Sequence, residues 1–439
     1  MRDIQRVLIL GTGPVAVQLA VLFKKSWGCG IGIAGRRSQR SDRFFASLAE
    51  AGQRVRIDVQ NGQHRSMEGE CIVDEVFQDY RTIHGEWDML VFAVSTDAYI
   101  EVLGQIDRAV LRQASCAMLV SPTFGSGFVV SDFLHQAGSG AEVISCSTYL
   151  GDTRWADGQP AGHVVTAAVK RKLYLGSTNR SSATVNRLNR LYEQSGIATE
   201  IMASPLEAET RNSSLYVHPP LFMNDFSLRA VFGETKEPKY VYKMFPEGPI
   251  TQQLIRNMRL QWEEIGAIME RLHVRSLNLL QFMTDDNYPV RPESLSRQDI
   301  DQFPYLEAVH QEYLLYVRYT SLLIDPYSTP DEQGRYFDFS AVPIRIMYVN
   351  QDGEWDLPRM PKEDYYRTKI IQGIARYVGV ASPMIDSFIS IYENKLSETA
   401  ARRKNERLSS AFAVQSFDED IKRIGNGIAQ LSLKITIKS

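Results

Sequence analysis

At 439 residues and 44% hydrophobic content, the chain is long enough to bury a large core and to fold as two or three domains. Its 49 basic and 52 acidic residues leave a formal net charge of -3, which excludes a global field drawing it to nucleic acid or anionic membranes. Small molecules are the expected partners.

Cys29, Cys71, Cys116 and Cys146 lie far apart in apolar sequence, with no C-x-x-C pair to hold zinc or form a redox couple. They read as reduced thiols of a cytoplasmic protein. Neither an H-E-x-x-H pattern nor a Cys/His cluster occurs, so no metal site is expected.

In chain order, the first element is Arg6 to Leu10, an apolar run entering Gly11-Thr12-Gly13-Pro14-Val15-Ala16 and then a helical pattern through Phe23. This G-x-G-x-x-A spacing reads as a strand, a phosphate loop and a helix. Gly11 permits the tight turn, Gly13 lets the backbone approach a pyrophosphate, and Ala16 is small enough for close helix packing. The anion would rest on the helix N-terminus, with Gly11, Thr12, Gly13, Pro14 and Val15 as the contacting loop. The same stretch has the apolar length of a signal-peptide core, but the glycine interruption and the lack of a small-x-small cleavage site argue against export. No other run approaches the length of a membrane span.

The next strand, Ile31 to Ala34, identifies the cofactor. Strands at this position usually end in Asp or Glu for NAD, whereas here Gly35 is followed by Arg36, Arg37 and Arg40. Guanidinium forks suit a 2′-phosphate, so NADPH is expected.

Ser41 to Gly52 reads as a helix and Val55 to Val59 as an alternating strand. Continuous apolar strands follow at Trp87 to Val94, Cys116 to Val120 and Glu142 to Ser147, as a doubly covered parallel sheet needs. Their carboxyl ends carry Ser95 and Thr96, and Pro122 and Thr123, which are expected along the nucleotide crevice. Val164 to Val169 and Lys172 to Gly176 read as a hairpin extending the sheet, followed by a helix over Ser182 to Gln194. Near residue 205 the pattern turns helical, with helices expected over Ile250 to Leu272, Tyr305 to Leu323, Tyr365 to Val378 and Met384 to Arg402. Asp325 to Asp364 reads as loop with short strands. The fold class is therefore α/β: a Rossmann dinucleotide-binding domain over 1–203, then a mainly helical catalytic and dimerisation domain over 204–439.

Two stretches carry candidate chemistry. Glu207 to Pro220 reads as a helix cut short by Pro219 and Pro220, which leaves His218 at its C-terminal end. Its imidazole is suited to shuttle a proton near neutral pH as hydride reaches a C=O or C=N carbon. In Thr148 to Arg154, Asp152 offers a partner for a substrate ammonium or an orienting group for a base, and Arg154 a bidentate clamp for a carboxylate. Tyr240, Tyr242 and Lys243 form a polar aromatic cluster, with Tyr242 the candidate pocket residue.

The Gly11 to Pro14 loop, Gly35-Arg36-Arg37, Tyr149-Leu150-Gly151-Asp152 and Val217-His218-Pro219-Pro220 together resemble the opine metallophore dehydrogenases. These are the staphylopine, pseudopaline and yersinopine dehydrogenases, and the resemblance spans nearly the whole chain. It implies an NADPH-dependent reductive condensation of an α-keto acid with the primary amine of an aminobutyrate-extended amino acid, commonly histidine-derived. The product would be a metal-chelating opine, made by a homodimer that itself needs no metal. His218 and Asp152 would be the catalytic residues, His218 as proton donor and Asp152 in the substrate pocket beside Arg154 and Tyr242. Arg36, Arg37 and Arg40 would grip the 2′-phosphate. A carboxylate near the keto acid would disfavour the second carboxylate of 2-oxoglutarate by about 1 kcal/mol or more, so pyruvate is expected. Two other readings stand beside this one: a simple NADPH-dependent 2-keto acid reductase of the ketopantoate reductase type, and a non-catalytic NADPH sensor.

Overall fold

The structure, a computed structural model, describes residues 4–287, 289–323, 333 and 340–436. It divides into two compact units, residues 1–212 with 426–439 and residues 213–425.

Among the described residues the first unit contains twelve strands: β1 (Arg6–Leu10), β2 (Gly30–Ala34), β3 (Arg54–Val59), β4 (Gly69–Ile72), β5 (Glu75–Phe77), β6 (Met89–Phe92), β7 (Cys116–Leu119), β8 (Glu142–Cys146), β9 (Gly151–Trp155), β10 (His163–Val169), β11 (Lys172–Ser177) and β12 (Ala198–Met202). Eight of them form one sheet in the order β12-β11-β8-β7-β6-β1-β2-β5. The run from β5 to β8 is parallel throughout, with connections crossing at β1, which is the doubly wound dinucleotide-binding topology. Alternate residues feed two cores. Val7, Ile9, Ile31, Ile33, Val91 and Met118 face one layer, and Leu8, Leu10, Leu90, Phe92 and Leu119 the other. A strand covered on both sides has no polar face, which explains the continuous apolar runs in the sequence.

Four strands form a second sheet, β4-β3-β10-β9, and the helix Pro14–Trp27 packs against both sheets. Gln18 of that helix joins a buried hydroxyl cluster on the small sheet, donating to Thr166 Oγ1 at 2.7 Å while Thr153 donates to its Oε1 at 2.9 Å. The expected hairpin of β10 and β11 does not exist. β10 lies in the small sheet between β3 and β9, whereas β11 pairs with β8 and β12 in the large one. The physical reason is burial: β11 is covered nearly along its whole length, while β10 alternates covered and part-exposed residues.

The boundary expected after residue 203 lies instead after Asn212, and the chain's last residues cluster with the first unit. The short helix Pro205–Glu209 packs on β8 and β11. A Cβ at Gly427 would sit 2.3 Å from the Phe128 ring, so the C-terminal helix Asp418–Thr436 meets the helix Ser126–Gln136 too closely for any larger residue.

In the second unit, helices Gln252–Arg271, Ala308–Ser321, Arg359–Val378 and Pro383–Arg402 stand where apolar periodicity placed them, the third beginning earlier than expected. Of the stretch read as loop over Asp325 to Asp364, residues 325–332 and 334–339 lie outside the described residues. The rest includes a two-stranded ribbon, Tyr348–Val349 with Trp355–Asp356, before helix resumes at Arg359.

Candidate active site

The glycine loop after β1 is shaped as its residue types require. Gly11 adopts φ +133°, and a Cβ there would lie 2.4 Å from the carbonyl oxygen of Ala93, so only glycine fits. Gly13 is the N-cap of the helix Pro14–Trp27, and a Cβ on it would meet nothing within 4 Å. That open ground lies over a helix N-terminus with no side-chain cap and no acidic residue in its first turn, a place suited to an anion.

Beyond β2, Arg36, Arg37 and Arg40 are all exposed, and Arg37 Nε lies 3.9 Å from Asp79 Oδ2. Beside them is a hydroxyl chain that the sequence reading missed. Thr12 Oγ1 and Ser41 Oγ are 2.9 Å apart, Ser38 Oγ donates to Ser41 Oγ at 3.1 Å, and Ser38 also caps the helix Gln39–Glu50. The chain connects the phosphate loop to the basic end of β2.

Ser95 and Thr96 follow β6, and Pro122 and Thr123 follow β7, at the carboxyl ends of their strands. Thr96 and Thr123 are buried, and among the described residues neither Oγ1 has a hydrogen-bond partner. Buried hydroxyls are normally paired, so two unpaired ones beside the phosphate loop fit a bound dinucleotide. The residues present therefore suit such a cofactor.

His218 is not at the end of a helix. The helix Ser214–Phe222 runs through Pro219 and Pro220, because the carbonyl that Pro219 cannot serve, that of Leu215, accepts a 2.6 Å hydrogen bond from Gln261 Nε2 instead. The His218 ring packs edge-on against Phe222, and its Nδ1 lies 3.0 Å from Oδ1 of Asp364, a fully buried carboxylate. Asp364 Oδ1 also accepts from Arg367, which is buried and bonds Glu363 at 3.3 Å. Such a pairing fixes the orientation of the imidazole. Tyr242, part-buried in the same unit, has its phenol held protonated by burial; the field of Arg318 opposes that shift and the Asp364 carboxylate adds to it.

Asp152 and Arg154 lie in the first unit, on β9, where Arg154 Nε donates to both carboxylate oxygens at 3.1 and 3.0 Å. The structure thus pairs His218 with Asp364 and Asp152 with Arg154. Asp364 carried no signal in the sequence, because it lies 146 residues from His218. Among the described residues no cluster of His, Cys, Asp and Glu is arranged to hold a metal ion, and no helix is long and apolar enough to cross a membrane.

The fold and the glycine loop define the dinucleotide-binding dehydrogenase class. Residues 5–428 match the model of the staphylopine dehydrogenase family. The chain is 48% identical over 417 residues to the staphylopine synthase of Staphylococcus aureus, covering 94% of this chain and 96% of that one. It is 38% identical over 391 residues to the pseudopaline synthase of Pseudomonas aeruginosa, covering 89% and 90%. The solved structure of yersinopine dehydrogenase with NADP+ bound superposes with a TM-score of 0.90 at 31% identity, covering 98% of this chain and 100% of that one. The chain belongs to the staphylopine dehydrogenase family of opine metallophore dehydrogenases, oxidoreductases acting on CH–NH bonds.

Proposed function

We propose that this protein uses NADPH to condense an α-keto acid, pyruvate in the first instance, with the primary amine of an aminobutyrate-extended, histidine-derived amino acid. The observation that carries the reading is the His218 imidazole held on Asp364, in a chain whose β2 ends in arginines rather than a carboxylate. The Gly11 to Val15 loop would hold the pyrophosphate, Arg36, Arg37 and Arg40 the 2′-phosphate, and Ser95, Thr96, Pro122 and Thr123 the nicotinamide end. When bound, the cofactor supplies hydride.

The amine nitrogen attacks the keto carbon, water leaves, and the resulting C=N accepts hydride at carbon to give a secondary amine. His218 moves the protons this requires: it takes one from the substrate ammonium, freeing the neutral amine to attack, and returns one as the carbinol oxygen departs as water. Asp364 holds the ring at Nδ1 and keeps it from rotating. Arg154 would clamp a substrate carboxylate, Asp152 an ammonium, and Tyr242 a further polar group. Because Arg154 already neutralises Asp152, the repulsion expected against a second keto-acid carboxylate is weakened, so the preference for pyruvate is a direct object of measurement. The reading includes a cytoplasmic homodimer, and the four free thiols suit a reducing compartment.

The test is NADPH oxidation by the purified protein with pyruvate or 2-oxoglutarate, each with and without a histidine-derived aminobutyrate amine. The reading requires turnover only when both substrates are present. Oxidation with keto acid alone would leave a simple 2-keto acid reductase, and tight NADPH binding with no turnover would leave a sensor.

A further inference from the structure

Glu209 is a fully buried carboxyl group outside the chemistry described above. It ends the short helix Pro205–Glu209 and accepts three hydrogen bonds: from the Gly125 amide at 2.8 Å, the Gly127 amide at 2.7 Å and Ser145 Oγ at 2.7 Å. All three donors are neutral. Burial pushes the carboxyl up to about 7, and the three hydrogen bonds hold it down against that pull. Burying a carboxyl without a cationic partner is costly, and an amide of the same shape offers only one acceptor oxygen. In its ionised form the group supplies what an amide cannot, which is two acceptor oxygens taking three converging donors.

What those donors fix is the segment between β7 and the helix Ser126–Gln136. Gly125 there stands at φ +88°, and a Cβ on Gly127 would lie 2.9 Å from both Glu209 Oε1 and Pro205 Cβ. Three residues further on, Asn212 Nδ2 grips the same segment by the Pro122 carbonyl at 2.8 Å. Asn212 thus ties Pro122, Glu209 ties Gly125 and Gly127, and the Thr123 amide between them donates to Ser126 Oγ at 3.0 Å, while the Thr123 hydroxyl stays buried and unpaired among the described residues. In the sheet order, β1 and β2 serve the adenosine half of a dinucleotide, and β6 and β7 serve the other half.

We infer that Glu209 is a positioning residue: it sets the Pro122–Gly127 segment so that Thr123 presents its hydroxyl to the nicotinamide half of the cofactor. The inference rests on the proposed NADPH reading, and fragment binding separates the two. Affinities for NADPH and for 2′-phospho-ADP-ribose, which lacks the nicotinamide, are measured on the full-length chain for wild type, Glu209→Gln, Thr123→Val and the double variant. The expected result is a tenfold or greater loss for NADPH in Glu209→Gln with the fragment unchanged within twofold. Thr123→Val should show the same selectivity, and the double variant should be no weaker than Glu209→Gln within threefold. Equal losses for both ligands, additive losses in the double variant, or no loss would overturn the inference. If Glu209→Gln does not fold, Gly127→Ala, which presses a methyl against Glu209 Oε1, must show the same selective loss, and an unselective loss there overturns it. Wild-type protein that binds neither ligand would instead overturn the NADPH reading, and the inference would fall with it.

Discussion

The glycine loop at Gly11 to Val15 and the imidazole of His218 are built in opposite ways. The loop is local: its turn, its helix N-terminus and the strand it leaves lie within one stretch of chain, and the φ of +133° at Gly11 is a demand that glycine meets by itself. His218 depends on distant chain. Its ring is set by Asp364, and the helix that carries it survives two prolines because Gln261 serves the carbonyl they strand. A site assembled from local geometry is visible in sequence, whereas one assembled by long-range hydrogen bonds shows only its reactive member.

Breaking the long-range side should have the largest effect. His218→Ala is expected to lower kcat for the condensation by about 10²–10⁴-fold with NADPH affinity unchanged, measured by steady-state oxidation and by titration. Asp364→Asn should lose much of the same factor without unfolding, because the amide can present a donor where the ring needs an acceptor; full activity would show that Asp364 only packs. On the local side, Gly11→Ala meets a backbone oxygen at a φ that disfavours side chains, so NADPH binding should fall by tenfold or more while activity per bound cofactor changes little. Gln261→Met strands the Leu215 carbonyl, with an expected loss of about 1–3 kcal/mol in unfolding stability by denaturant titration.

The smallest effect sharpens the comparison through pH. The Glu209 carboxyl titrates higher in the folded chain, near 7, than in the unfolded one, so the native state keeps its proton to higher pH. The stability this contributes is complete below the ordinary carboxyl range and is lost as pH rises through about 7. Glu209→Gln removes that slope. Between pH 5 and 7 the wild type should lose stability relative to the variant by about 1 kcal/mol per pH unit, and parallel profiles would contradict it.

Much of the first unit was legible because burial writes itself into sequence. Strands covered on both faces, such as β6 and β7, read as unbroken apolar runs, and in the second unit the helix Gln252–Arg271 shows its spacing plainly. The error at β10 and β11 came from treating adjacent strands as a hairpin: both stretches are rich in apolar residues, and only their burial, one-sided in β10 and nearly continuous in β11, shows that they belong to different sheets. The proline stop after His218 failed because a side chain from another helix supplied the missing hydrogen-bond donor. Asp364, Glu209 and the Thr12 to Ser41 contact were invisible for the same reason: each acts on residues remote in sequence, and nothing in its own neighbourhood marks it.

The most direct test of the account follows the hydride. The protein is given NADPH deuterated at the transferring position of C4, pyruvate and a histidine-derived aminobutyrate amine, and the products are analysed by mass spectrometry and NMR. The account predicts one deuterium on the carbon that was the keto carbon, now bonded to nitrogen in a secondary amine. Deuterium in lactate, with the amine recovered unchanged, would contradict it.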